Sequence, residues 1–319
     1  MLVLQRLFSI GVFSSIALWI TVFLWQGKPV WALAGPIILV AVYAALLGLE
    51  FHWLWRSKAT DPDARPSPGA MVRAWLAEIW CGLVVFLVRQ PFFSRSYSDL
   101  APASGSGPGV LFVHGFFCNR GIWNPWMRRL RHLEIPHVAV NLVPMFGSID
   151  DYVELVEASV ARLEQSTGTA PVVVAHSMGG LAVRAWLSRA GNGDRVHRVV
   201  TLGTPHGGTS LAHLARSTNG RQMTLGSEWL TGMLAREPSA SHSRFTCFHS
   251  HCDNVVVPTA SATLPGADNR HLEGTAHVQM VYHPEVLAEV LRLVQLVRSG
   301  HPIDVKDPPP TAGPRQATR

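Results

Sequence analysis

The chain is short of charge, short of cysteine and free of any long block of one charge sign. Charged residues make up 15% of its 319 positions while hydrophobic residues reach 48%, against a usual charged share of about 25% in soluble domains. That balance excludes a disordered chain, which needs low hydrophobicity and high net charge, and it points to a part that lives in lipid. Cys81, Cys118, Cys247 and Cys252 are too few and too scattered for a disulfide framework. Cys247 and Cys252 alone are near enough in sequence to pair in an oxidising compartment. The formal net charge of +6 divides evenly, +3 over residues 1–108 and +3 over residues 109–319, so neither part is a nucleic-acid-binding arm. The length suits one large domain plus an appendage, with no need of a disulfide or a metal to make a core.

What the chain has in abundance is apolar runs near its start. No charged residue occurs in the 21 positions between Arg6 and Lys28, and a second uncharged stretch of 21 residues runs from Pro29 to Leu49. Each is long enough to span a bilayer, and the short turn between them makes residues 1–58 a transmembrane hairpin. A cleaved signal peptide is the alternative, with Ala32-Leu33-Ala34 as its A-x-A site. The first run exceeds the roughly 7–15 residues of a signal core, and a second span follows it, so the hairpin is preferred. Trp19, Trp25, Trp31, Trp53 and Trp55 fall mostly where an aromatic belt would sit. Arg6, Arg56, Lys58 and Arg65 put both ends on the cytoplasmic side by the positive-inside rule, with Lys28 pulling weakly the other way. Two spans offer no inverted repeat, which argues against a transporter.

Residues 59–108 contain a third apolar stretch, Met71 to Phe93, interrupted by Arg73, Glu78 and Arg89. A carboxylate at the middle of a spanning helix costs roughly 2.5–3.5 kcal/mol. At 100° per residue Glu78, Gly82, Val85 and Arg89 share one narrow face, the pattern of a helix lying on the membrane surface. Were it to span, the following domain would change sides. Ser94 to Pro108, rich in Ser, Gly and Pro, reads as a linker.

From Gly109 the pattern changes to β-rich runs alternating with helical spacing. Strands are expected over Val110–Val113, Val138–Leu142, Val172–Ala175, Val196–Leu202 and Arg244–Phe248, and helices near Trp123–Leu133, Ile149–Gln165, Met178–Arg189 and Pro284–Arg298. The alternation predicts an α/β domain over 109–299, a mostly parallel sheet with helices on both faces. Chemistry in such a sheet gathers at the carboxyl ends of the strands.

One such end carries Val172-Val-Val-Ala-His-Ser177-Met-Gly-Gly. A strand running straight into a helix forces Ser177 onto a sharp turn, and Ala175 and Gly179 are small where that turn presses backbones together. Ser177 is the candidate nucleophile and the Met178 amide a candidate oxyanion donor. The plainer reading is that Ser177 only caps a helix. Leu111-Phe-Val-His-Gly-Phe116 ends the first strand in a His-Gly turn, and the Phe116 amide is the second candidate donor. Downstream, Asp253 follows a strand and His277 precedes the last helix. The order Ser, Asp, His is the one used on open parallel sheets, with His277 as proton acceptor and Asp253 as its orienting partner. Asp268 and Glu273 compete for the acid's place, but Asp268 reads as part of a turn and Glu273 as part of the last strand.

With these residues the chain resembles the α/β-hydrolase fold, in particular bacterial lipases and esterases in which Ala replaces the first Gly of the nucleophile pentapeptide. Leu202-Gly-Thr-Pro-His-Gly-Gly-Thr209 is similar to a segment of lipase-like members. The resemblance covers residues 109–299, leaving the hairpin outside it. It implies hydrolysis of lipid-like or small carboxylic esters through an acyl-enzyme on Ser177, Asp253 and His277, with no metal or organic cofactor. The hairpin, outside that resemblance, sets the protein in a bilayer, the inner membrane for a bacterial enzyme, and no nucleic acid and no obligate protein partner are expected. No strand is evident before Val110, so a short sheet of about six strands is expected.

Residues 208–241 leave the strand-helix rhythm and are expected to form a small helical lid. Leu211, Leu214, Leu225, Trp229 and Met233 either face an acyl chain or pack on the domain. Phe116, Phe117, Trp123 and Trp126 suit an acyl pocket or core equally. Arg128, Arg129, Arg131 and His132 read as exposed helix charges, and His249, His251 and Cys252 lack a convincing second ligand pair for a metal. An acyltransferase using the same residues, and a catalytically silent anchored interaction module, are the alternatives to a hydrolase. Residues 300–319, rich in proline, are expected to be a disordered tail.

Overall fold

The computed structural model describes residues 2–57, 65–101, 107–189, 192–237 and 239–301. The boundary near residue 58 and the tail from 302 onward lie outside them.

Six strands form one parallel sheet: β1 Val110–Val113, β2 His137–Val140, β3 Val172–His176, β4 Arg198–Leu202, β5 Phe245–His249 and β6 Asp268–His271, in the order β2-β1-β3-β4-β5-β6. The central strands are rich in Val because a parallel sheet covered on both faces has no polar side to offer. One face carries Leu111, Val113, Val173 and Val199 against α5 (Val153–Thr167) and α6 (Met178–Leu187). The other carries Val110, Phe112, Val174 and Val200 against α4 (Asn124–His132) and α9 (Pro284–Arg298).

The sixth strand departs from the expectation. Asp268 opens β6 and Glu273 lies beyond its end. This is an edge strand of polar residues with alternating exposure, so it carries no apolar run to mark it. Asp268 is ion-paired to Arg270 at 2.7 Å and lies 3.8 Å from Arg198, which occupies it structurally. Cys247 holds a free thiol on β5, so it forms no disulfide with Cys252.

Between β4 and β5 lie the short helices α7 (Thr218–Gln222) and α8 (Glu228–Arg236). Leu230 and Met233 of α8 are buried in the core, whereas Leu214 and Leu234 stay exposed. Part of this segment is therefore packed down on the domain. The buried ion pair of Arg184 on α6 with Glu237 at 2.5 Å fastens its far end.

Three helices precede the sheet: α1 Leu2–Trp25, α2 Pro29–Ser57 and α3 Pro68–Phe93, whose Leu83–Arg89 portion is wound as a π-helix. All three are long and apolar enough to cross a membrane. At 24 and 29 residues, α1 and α2 extend about 36 and 44 Å, more than the roughly 30 Å hydrocarbon core. They are antiparallel partners: the Trp19 indole donates to the Trp31 carbonyl at 2.8 Å and lies over Gly35, where a Cβ would collide with it. Helix α3 lies along the sheet domain. Ala70, Ala74, Glu78 and Val85 on one side of it are buried, while Val72, Leu76 and Trp80 are exposed. The narrow face that carries Glu78 is thus turned toward protein. Within the stretch read as a linker, Leu100 pairs with His137 at the β2 edge, and Asp99 binds Arg120 and Arg162, each at 2.6 Å.

Candidate active site

Ser177 stands between β3 and α6 with φ 55° and ψ −131°, a backbone conformation that L-residues rarely adopt. The strained turn is held by the Ser177 N–H donating to Leu202 O at 2.9 Å and by Thr204 Oγ1 donating to Ser177 O at 2.9 Å. Its close packing explains the small residues around it. A Cβ on Gly179 would lie 2.6 Å from the carbonyl oxygens of Val113 and His114. The amide of Met178, the first residue of α6, is among the first-turn donors that no helical carbonyl can satisfy.

The turn after β1 comes up against the same place, since a Cβ on Gly115 would sit 2.7 Å from that of Ser177. The Gly115 carbonyl accepts from Cys118 N at 3.2 Å and from His114 Nδ1 at 2.9 Å. His114 Nε2 accepts from Leu142 N at 3.0 Å, which assigns the ring proton to Nδ1. In a trans peptide the N–H points opposite to the C=O within one plane, so these bonds aim the Phe116 N–H away from the groups that hold the Gly115 carbonyl. Burial pushes the His114 pKa down to about 4, partly opposed by its bond to Gly115, so the ring is neutral.

Asp253 and His277 are brought together from 24 residues apart: Nδ1 lies 3.0 Å from both carboxylate oxygens, and both side chains are buried. Asp253 Oδ1 also accepts from the amides of Val255 and Val256 at 2.8 and 2.9 Å, which orients the carboxylate. Burial by itself would lower the His277 pKa. The Asp253 charge and hydrogen bond outweigh it, with Glu78 and Glu50 acting in the same direction, and the pKa is raised. His277 also adjoins the end of β3: its ring lies 4.7 Å from that of His176, whose Nε2 donates to the His277 carbonyl at 3.2 Å. Asp253 and His277 therefore form a pair beside the end of the strand that leads into Ser177.

Other expected contributors are placed differently. Trp123 and Trp126 are buried against Phe112, with ring centroids at 4.9 and 5.6 Å, and so belong to the core rather than to an acyl pocket. Phe116, Phe117 and Phe146 cluster within 6.0 Å of one another, with Phe117 and Phe146 exposed. His251 stacks near His271 at 4.3 Å, and among the described residues no group of three His, Cys, Asp or Glu is placed to hold a metal ion.

Several neighbours of the site escape a reading of the sequence. Gly203, with φ +53°, lies under the acid-base pair, and a Cβ there would meet Asp253 Oδ2 at 2.9 Å and His277 Nδ1 at 3.0 Å. Asn254, beside Asp253, donates to Glu50 of α2 at 2.7 Å. Glu78 of α3 accepts from the amides of Val278 and Gln279. Only Glu78 had a signal, as a lone carboxylate inside an apolar stretch.

This architecture is the α/β-hydrolase fold, and residues 108–252 match the family model of that description. Among solved structures, the mature lipase BlEst2 of Bacillus licheniformis superposes with a TM-score of 0.53 at 18% identity, covering 62% of this chain and 96% of that one. Lipase B of Aspergillus fumigatus gives 0.51 at 19%, covering 61% of this chain and 55% of its own. At such identities the likeness is one of fold. No curated protein matches the chain.

Proposed function

We propose that this protein is a membrane-anchored serine hydrolase of carboxylic esters with lipid-like acyl groups. The observation that carries the reading is the buried Asp253–His277 pair beside the end of the strand that leads into Ser177. Ser177 Oγ attacks the ester carbonyl while His277 Nε2 takes its proton, and Asp253 stabilises the imidazolium so formed. The amides of Met178 and Phe116 hold the oxyanion. The intermediate collapses, His277 returns the proton to the departing alcohol, and the acyl group stays on Ser177. Water, deprotonated by His277, then releases the acid.

The hairpin formed by α1 and α2 supports a membrane setting. Its two free ends meet the catalytic domain: Gln5 Nε2 donates to Phe117 O at 3.0 Å and Asn254 to Glu50 at 2.7 Å. These contacts favour a domain on the side of the bilayer that holds both ends of the hairpin, and the positive charges favour the cytoplasm for that side. Contact of the Phe116–Phe117 turn with the first turns of α1 supports a position of that aromatic cluster near the membrane surface, within reach of an acyl chain.

A fluorophosphonate probe tests the reading on the full chain. A Ser177-dependent adduct is expected, absent in Ser177→Ala, together with hydrolysis of p-nitrophenyl esters that improves with acyl length. Labelling that persists in Ser177→Ala would refute it. An added alcohol that takes the acyl group in preference to water would make the protein a transferase.

A further inference from the structure

Two carboxylates on the apolar helices reach into the loops that carry the acid-base pair. Glu78, midway along α3 and 3% exposed, accepts from Val278 N at 2.9 and 3.1 Å and from Gln279 N at 3.1 Å. These are the two residues that directly follow His277. Glu50, near the end of α2, accepts from Asn254 Nδ2 at 2.7 Å. Asn254 directly follows Asp253 and is 1% exposed, and its Oδ1 lies 3.4 Å from the His277 amide. Behind these bonds Phe51, Leu54, Ala70, Met71 and Ala74 of the two helices pack against Cys252, Val257 and Ala276 of the same two loops. A carboxylate withdrawn from water in an apolar helix is costly, and here buried Glu78 and half-buried Glu50 are each matched by donors from residues about 200 positions away.

We infer that Glu78 and Glu50 are positioning residues for His277 and Asp253, so that the apolar helices form part of the active-site framework as well as an anchor. The inference rests on the Ser177–His277–Asp253 reading above. Glu78 fixes the backbone just past His277 and thereby the entry of its side chain into the site, and Glu50 does the same for Asp253 through Asn254. Both also bear on the charge of His277. The groups facing that ring are Asp253 from the loop after β5, Glu78 from α3, Glu50 from α2 and His176 from the end of β3, with His114 beyond His176. In their ionised forms the three carboxylates favour the imidazolium that forms as Ser177 loses its proton, and the two histidines are neutral.

The test uses the full chain in membranes or detergent, with Glu78→Gln, Glu78→Ala and Glu50→Gln compared with wild type. Three quantities are followed against pH: kcat and KM for a p-nitrophenyl ester, the rate of fluorophosphonate labelling, and hydrogen exchange of the amides of residues 277–282. Glu78→Gln keeps an acceptor but loses the charge. Its plateau kcat should stay within about twofold of wild type while the acid limb of kcat/KM moves to lower pH. Glu50→Gln should move the acid limb the same way. Glu78→Ala leaves the two amides unpaired, so kcat should fall about tenfold or more with KM little changed. Exchange over 277–282 should quicken while β1 to β5 stay protected. If Glu78→Ala does not fold, Glu78→Gln decides. Wild-type pH profiles, rates and exchange in all variants, with normal labelling of Ser177, would overturn the inference. A wild type that never labels at Ser177 would instead remove the hydrolase reading, while exchange over 277–282 still judges the clamp.

Discussion

Replacing Gly203 by alanine should disable the site while leaving the domain folded, and the structure supplies the size of each effect. The new Cβ would lie 2.9 Å from Asp253 Oδ2, 3.0 Å from His277 Nδ1 and 3.2 Å from His277 Cε1. It would therefore wedge into a hydrogen bond that is itself 3.0 Å long. Ordinary carbon contacts need about 3.5 Å, so the acid, the imidazole or the turn must recede by roughly half an ångström. A misplacement of about 1 Å can cost on the order of 100-fold in rate, so a fall in kcat of about 10- to 100-fold is expected. The backbone adds its own penalty, since φ at Gly203 is +53° and a left-handed L-residue costs roughly 1–2 kcal/mol. Gly168→Ala isolates that part. Gly168 ends α5 at φ +71°, and a Cβ there would meet nothing within 4 Å, so the substitution brings the strain without the wedge. Both variants should lose stability by about 1–2 kcal/mol in thermal or denaturant melts, and only Gly203→Ala should lose activity on a p-nitrophenyl ester. Equal kcat in the two would refute the placement of the Asp253–His277 pair over Gly203.

Two pH dependences follow from the same geometry. On the proposed mechanism His277 is neutral when it accepts the Ser177 proton, and its pKa is raised, so kcat/KM should rise with pH through a value above the ordinary 6.5. Asp253→Asn should move that limb downward and lower kcat by about 1,000- to 10,000-fold, and an unmoved limb would contradict the pairing. Folding linkage has the same origin: a raised folded-state pKa adds stability that is full below about 6.5 and is lost as pH rises through the raised value. His114 acts in the opposite sense. Its pKa is near 4 when folded and 6.5 when free, so its contribution is full above pH 6.5 and declines as pH falls toward 4. The total loss is roughly 3 kcal/mol. Melting midpoints across that range should fall less steeply in His114→Gln than in wild type, and parallel curves would be the contrary result.

Local chemistry was legible wherever one segment meets its demands alone. The apolar runs before Ser177 and after Gly109 announce strands covered on both faces, and small residues flanking Ser177 announce a turn too tight for larger ones. The length and purity of the two first runs likewise announce helices fit for a bilayer. β6 was hidden because a polar edge strand has no apolar side to display, so Asp268 passed for part of a turn. Trp123 and Trp126 were ambiguous because an aromatic ring looks the same whether it lines a pocket or fills a core.

Composition and pattern by themselves determined that apolar helices precede an α/β domain, because burial and periodicity are written into neighbouring residues. Tertiary structure alone decided what the lone carboxylate of α3 is for, which glycine lies beneath the histidine, and where each acid finds its partner. Those answers depend on contacts across about 200 residues of chain. Hydrogen bonding and packing at that range are set by how the sheet and helices close on one another, and no local run of sequence records it.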